Sequence, residues 1–469
     1  MSSMKPRSPA LAYSSPRKTN ERFLPPSVPL IHPAFRVSHR FSRRNEWEEL
    51  PVYAMAVDMR RPRLVGQVIL PSTRHAFLRI TTLAPYAHVQ LLPRSPGSLR
   101  KAVDGSLRIT LRPQEIKTLK FDRDPGFCLH LISRPPRLAK SPASNPQLLR
   151  FRPGVHSVPG GVLRLESGQT LHLDPGAVLR ARLECKGVEN VTIRGLGIID
   201  LLPNCPRDPS DEQAPKEQAL SIKNSRNIRV EGLTFRNPSH YGILLGQSRD
   251  VHISNVSIFT HCKWGDGIDS MSCSDLRVEH SFIRTSDDCL AVYADRWAFK
   301  GNVRRHHYHH CTLWADVAHP VMIGVHGKQM SPGRVLEDLR FEHLTVLRHC
   351  EPHPMYQGCL AINPGDLNTV RNVHFSSIRI EDPEAPRLLD LRVLFNPDFN
   401  PVPGKAIEKI RFHNLDFRGN PRIPSVFEGH DRQRRVRDVR VHSLRINGKL
   451  QKELQKLQLN DWAETPVVS

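Results

Sequence analysis

The chain has 469 residues, 39% of them hydrophobic, 24% charged and 6% aromatic, with 68 Lys and Arg against 46 Asp and Glu and a formal charge of +22. That length suits one large domain plus a smaller one. No run approaches the roughly 18–20 apolar residues of a membrane-spanning helix, which excludes an integral helical membrane protein. MSSMKPRSPALAYSSPRKTN also lacks the apolar core of about 7–15 residues that a secretory signal needs, so the chain as written is expected to be cytoplasmic.

The basic excess invites a polyanion as partner. It is spread along the chain, however, and its densest cluster (Arg432, Arg434, Arg435, Arg437, Arg440) alternates with valines as a solvated strand face would. No zinc-finger spacing, helix-turn-helix signal or aromatic RNA-binding motif accompanies it, and nucleic acid is not expected as a partner. The nine cysteines form no CxxC pair, which fits buried free thiols better than a zinc site or a disulfide framework.

In chain order, residues 1–45 carry Pro25, Pro26, Pro29 and Pro33 with no sustained period and read as a disordered basic arm. Residues 46–133 hold short β-type runs such as LVGQVIL, AFLRITTL, SLRITL and FCLHLI between Pro, Gly and Ser turns, which predicts a small β-sandwich. Residues 134–147, RPPRLAKSPASNPQ, read as a linker, 148–450 as a second domain and 451–469 as a C-terminal tail.

The second domain repeats one phrase: NVTIRGLGII (190–199), NIRVEGLTF (227–235), DVHISNVSI (250–258), DLRVEHSFI (275–283), DLRFEHLTV (338–346), NVHFSSIRI (372–380), KIRFHNLDF (409–417) and DVRVHSLRI (438–446). Each copy is two short alternating strands separated by about two polar residues, and no helical period lies between copies. Repetition of this kind means a solenoid. Leucine-rich repeats would need LxxLxL ending in Asn. The Val, Ile and Phe at period two and the unequal gaps predict instead a right-handed parallel β-helix, so the fold class is all-β.

Two neighbouring copies carry acids just after the repeat, in GDGIDSM (265–271) and SDDCLAVY (286–293). Placing Ile268 and Leu290 in one inward stack puts Asp266 under Asp288, with Asp287 beside them, on coils about 4.8 Å apart. Acids so crowded cannot all ionise easily, and a mixed protonated and ionised set is what acid/base cleavage of a glycosidic bond requires. Extending the stack to Val321 brings His319 over Asp288. Lys263, Trp264, Tyr293, His240 and Tyr241 fall in loops at the same end of the coils, where sugar rings could stack. Asp269 and Asp275 read as turn residues, and His306, His307, His309 and His310 as a half-exposed strand face rather than a metal tract.

These residues resemble the polygalacturonase-type glycoside hydrolases of family 28 and, more loosely, the dextranase-like family 49, whose N-terminal sandwich the first β-domain resembles. The family Asn-Thr-Asp-Gly matches Trp264, Gly265, Asp266 and Gly267, with only the last two kept. Its Asp-Asp is Asp287 and Asp288, and its Gly-His-Gly matches Ala318, His319 and Pro320. His326, in GVHG, sits seven residues later and is a candidate for the cleft wall.

The resemblance implies an inverting enzyme with Asp287 as general acid, Asp266 and Asp288 activating water, a carbohydrate substrate, no metal or organic cofactor, and a family that is usually exported. Inversion leads to an expected separation of about 6.5–9.5 Å between acid and base. The family's Arg-Ile-Lys strand is matched by Gly358–Ile362, with Leu360 and Ile362 at the cationic positions, which predicts a neutral or non-galacturonate sugar at the cleavage subsite. The alternatives are a polysaccharide lyase on the same fold, with the acids holding Ca²⁺ and a Lys or Arg as base, and a non-catalytic carbohydrate-binding β-helix.

Overall fold

A computed structural model describes residues 30–95, 97–141, 147–202, 216–381, 384, 387–454 and 456–469, so most of the expected arm lies outside the described residues. Among the described residues there is no α-helix. Two five-stranded sheets formed by residues 35–134 precede one 30-stranded sheet. The first sheet runs Glu48–Leu50, Phe35–Arg40, Ala76–Thr82, Leu107–Leu111, Leu99–Lys101, and the second Tyr53–Val57, Arg63–Pro71, Cys128–Arg134, Ile116–Phe121, Val89–Leu92. Phe35, Val37, Leu78, Ile80, Leu129 and Leu131 fill the space between them.

Three boundaries differ from the sequence reading. Phe35–Arg40 lies inside the expected arm yet pairs on both edges, with Phe35 and Val37 in the sandwich core. Six residues containing Ser38 and His39 are too short and polar a run to announce a strand. The expected linker is anchored: Arg134 ends a sandwich strand, and Leu138, in the 3-10 turn Pro136–Leu138, is fully buried. In the expected tail, Leu457–Leu459 pairs with Ser425–Glu428 and Val467–Val468 with Val436–Ile446, so these residues add the last rungs of the solenoid.

The large sheet is a parallel β-helix in which each strand pairs with its equivalent one coil later. One inward stack passes through Leu183, Leu220, Ile243, Ile268, Leu290, Val321, Leu360 and Leu389. The expected alignment of Ile268 with Leu290 and Val321 is therefore the observed register. A second stack turns aromatic at Tyr308, Phe341, Phe375 and Phe412, whose ring centroids are 4.8, 4.8 and 5.0 Å apart. That is the coil repeat itself, so each ring meets its neighbour face to face without strain.

The second sandwich sheet is covered on both faces, which is why Cys128–Arg134 is buried at every residue. Its outer face carries Met55, Val57, Val65 and Ile132 against Phe259, Phe282, Trp314 and Leu347 of the β-helix. Polar ties cross this interface. Gln67 Nε2 and Arg134 donate to Ser257 Oγ, and Arg236, paired to Asp200, donates to Ala54 O. The Met59 amide donates to Ser286 Oγ at 3.1 Å, and Arg60 donates to Asp316 O at 2.8 Å. Eight cysteines are described, all of them free thiols and all but Cys350 buried. Cys205 lies outside the described residues.

Candidate active site

The three acids and His319 are positioned by the coil-to-coil ladder. Asp266 O accepts from Gly242 N, Asp288 O from Gly267 N and His319 O from Cys289 N, at 2.8, 2.8 and 2.7 Å. A Cβ at Gly267 would stand 2.4 Å from Cys289 O, so only glycine lets these coils approach. Thr285 Oγ1 donates to Asp287 O, and the Asp288 amide to Asp287 Oδ1, which pins the turn that carries both acids.

One carboxylate oxygen from each of Asp266, Asp287 and Asp288 lies within 4.8 Å of the others. The nearest oxygens thus approach more closely than the roughly 6.5–9.5 Å expected between acid and base for inversion, as coil stacking and adjacency in the chain dictate. The same convergence would also admit a hard divalent cation.

The electrostatics are uneven. Burial, then Asp269 and the neighbouring acids, pushes Asp266 well above the carboxylate range, and burial with Asp288 and Glu351 does the same to Asp287. Asp288 accepts from the His319 amide at 3.0 Å, from His319 Nδ1 at 2.7 Å and from Tyr293 OH at 3.3 Å. Burial lowers the His319 pKa, but the charge and hydrogen bond of Asp288 outweigh it and raise it to about 9. His319 is therefore an imidazolium at neutral pH. His319 Nε2 also contacts Tyr356 O.

These groups floor a cavity of about 420 Å³ walled by His240, Tyr241, Trp264, Tyr293 and His326, all expected from the sequence. Lys263 is the exception. It lies outside that lining and rests over the Trp264 ring at 5.3 Å. Of these aromatics Trp264 is 38% exposed, whereas Tyr293 and Tyr241 are buried.

Asp269 is not a turn residue. It lies on the strand Ile268–Met271, in register with Ala291, fully buried and without a hydrogen bond of ordinary geometry, although Asp266 and Tyr241 approach it. Asp275 is exposed and bonds to Arg305. The histidine run is not one face: His306 points into the solenoid, where it contacts Cys273 O, while His307 is half-buried and His310 exposed.

A second correction concerns the strand Leu360–Asn363. Leu360 and Ile362 belong to the inward core, and Ala361 and Asn363 take the outer positions. The expected parity was off by one residue, yet neither outer residue is a cation.

The sequence reading missed Arg296, Trp297, Lys216, Glu351, Tyr356 and Phe399, all of which line the cavity. Arg296 stands 4.9 Å from the Tyr293 ring, 5.0 Å from Trp297 and 6.0 Å from Tyr241, and forms no ion pair within 4 Å among the described residues. Its loop is pinned by reciprocal amide bonds between Arg296 and Phe299, by Phe299 against Gly246, and by the Asp295–Arg334 pair. A charged and aromatic pair directly behind the second acid-bearing strand was the available signal.

Residues 165–393 match the family model "Glycosyl hydrolases family 28". "Probable exopolygalacturonase B" of Neosartorya fischeri is 23% identical over 176 residues, 36% of this chain and 36% of that protein. The protein of the same name from Aspergillus terreus is 26% identical over 184 residues, 38% of this chain and 39% of that protein. The chain thus spans a little over a third of the length of the curated relatives it matches. Among solved structures, a family 28 exopolygalacturonase of Yersinia enterocolitica is similar at TM-score 0.52 and 12% identity, covering 84% of this chain and 96% of that one. Dex49A from Penicillium minioluteum is similar at TM-score 0.53 and 12% identity, covering 96% and 97%. The resemblance to family 28 is borne out over the matched residues, and these two structures share the fold.

Proposed function

We propose that the protein is a glycoside hydrolase that cleaves a poly- or oligosaccharide with inversion, Asp287 acting as general acid and Asp288 with Asp266 holding the attacking water. The observation that carries this is the convergence of three buried acids at the floor of a cavity walled by aromatic rings. Asp287, kept protonated by burial and by Asp288, gives its proton to the glycosidic oxygen as the bond to the anomeric carbon breaks. Asp288, held by His319 and Tyr293, draws a proton from water, whose oxygen attacks from the opposite side of the sugar. No step calls for a metal or an organic cofactor.

The absence of cations at Ala361 and Asn363 supports a neutral or non-galacturonate sugar at the cleavage subsite. A uronate in the cavity would have to pair instead with Arg296 or Lys216, the cations that line it. Efficient hydrolysis of unesterified polygalacturonate would count against that part of the reading.

The test is release of reducing ends across a panel of glycans, with Asp→Asn changes at 266, 287 and 288 each lowering kcat by roughly 10²–10⁴. A substrate with a good leaving group should rescue Asp287→Asn alone, and equal rescue of all three would overturn the roles. The short spacing of the acids favours a second reading, retention through a covalent intermediate. Proton NMR of the first anomer released decides between the two. Loss of activity in EDTA with ultraviolet-absorbing products would point to a lyase.

A further inference from the structure

At the corner between Ser274–Glu279 and Phe282–Thr285, and at its equivalent one coil later, three histidines converge well away from the acids. His280 and His310 occupy the same left-handed turn position on consecutive coils, with φ of 49° and 53°, where other coils place Asn255 and Asn414 at 54° and 56°. His309 ends the strand Val303–His309 in register with Glu279. One ring nitrogen from each histidine lies within 4.8 Å of the others, and His309 Nδ1 is 3.0 Å from His310 Nδ1.

The ring centroids form a triangle of 5.0, 5.3 and 6.0 Å. A tetrahedral ion with bonds of about 2.0–2.1 Å to imidazole sets its ligand nitrogens roughly 3.3 Å apart and the ring centres roughly 5 Å apart. The observed triangle is close to that size. Turn stacking accounts for His280 and His310, and His343 continues that ladder at 4.6 Å from His310. It does not account for His309, which lies outside the ladder and meets it edge-on.

His309 is also oriented as a ligand would be. Its Nε2 lies 3.0 Å from Glu279 Oε2, at an angle too bent for a hydrogen bond, and its Nδ1 faces His310 Nδ1 at 3.0 Å. Glu279 is itself held by Arg277 and His252, each at 2.7 Å. A carboxylate behind a histidine that faces a metal fixes the tautomer and strengthens the ligand. Burial lowers the pKa of all three rings, helped by Arg277 at His280 and by neighbouring imidazoles at His309 and His310.

We propose that His280, His309 and His310 form a binding site for a divalent transition-metal ion of the zinc class, with water completing the coordination. Three imidazoles without a thiolate suit Zn²⁺, Ni²⁺ or Cu²⁺ and disfavour Ca²⁺ or Mg²⁺. The ion would join two consecutive coils at their corner, and the site is independent of the hydrolase reading.

The test uses the full, untagged chain stripped with a chelator and titrated with Zn²⁺ by calorimetry and with Co²⁺ by visible absorption. The expected result is one ion per chain with a four-coordinate Co²⁺ spectrum, and an affinity at least tenfold weaker in the double variant His280→Asn, His310→Asn. Asparagine already occupies this turn position on other coils, so the variant keeps the ladder. If it fails to fold, His310→Asn alone, at an exposed position, serves instead. Zn²⁺ should raise the Tm of the parent and not of the variant. Equal binding by parent and variant, no stoichiometric binding, or binding lost in Asp287→Asn would each overturn the proposal.

Discussion

Asp288 and His319 stand on neighbouring coils and are joined twice, the His319 amide and Nδ1 both reaching Asp288 Oδ1. Because folding raises the His319 pKa to about 9 from 6.5, the pair contributes stability that is complete below pH 6.5 and lost as pH rises through 9. His319→Asn should therefore lower the Tm most at pH 6 and least above pH 9. A difference that is constant across a pH series of melting curves would contradict the ion pair.

Asp269 is a second group whose raised pKa makes stability fall as pH rises. Burial, opposed by Arg296 and assisted by Asp288, raises it to about 8 from 3.8. Between those values the folded protein keeps a proton that the unfolded chain has released, so stability declines as pH rises through the window. Asp269→Asn removes that decline. The variant should melt close to the parent at pH 4 and above it at pH 8.

Arg296 is the cation that opposes this crowding of acids, since it lowers both Asp266 and Asp269. Arg296→Leu should let both rise, moving the acid limb of the kcat/KM profile to higher pH. Arg296→Lys should restore much of the original limb, though not the planar contact with the rings. A profile unchanged in the leucine variant would mean that Arg296 has no electrostatic part in the site.

Beneath the acids, Arg284 and Asp316 form a fully buried pair at 2.9 and 3.0 Å, with Trp314 Nε1 donating to the same carboxylate. Arg284→Met leaves Asp316 with only the more distant Arg348, at 3.9 Å, and should cost about 3–5 kcal/mol in urea denaturation. Adding Asp316→Leu should recover most of that loss. If the double variant is no more stable than the single one, the pair's charge is not what makes the site sensitive.

Much of this arrangement was legible in the sequence because a solenoid converts one-dimensional spacing into position. Once Ile268, Leu290 and Val321 share a stack, Asp266, Asp288 and His319 must align. The same period of two makes strands unforgiving: a shift of one residue exchanged the core residues Leu360 and Ile362 for the outer Ala361 and Asn363. Arg296, Glu351, Tyr356 and Phe399 reach the cavity from loops whose lengths follow no period, so no register argument could place them. Asp269 was misread because Asp-Gly-Ile-Asp looks like a turn, whereas the strand begins at Ile268.

The bond from Met59 to Ser286 joins residues 227 positions apart and ends one residue before Asp287. The turn that carries the acids thus rests on a support that enters the chain long before the segment matching family 28. A transplant of residues 165–393 alone would carry the acids without that backrest. It would also bare Phe259, Phe282, Trp314 and Leu347 to water, an apolar patch of the kind that drives association. The unit that could be moved intact to another protein is the sandwich and the solenoid together, and variants far out in the first 134 residues should register in turnover as well as in stability.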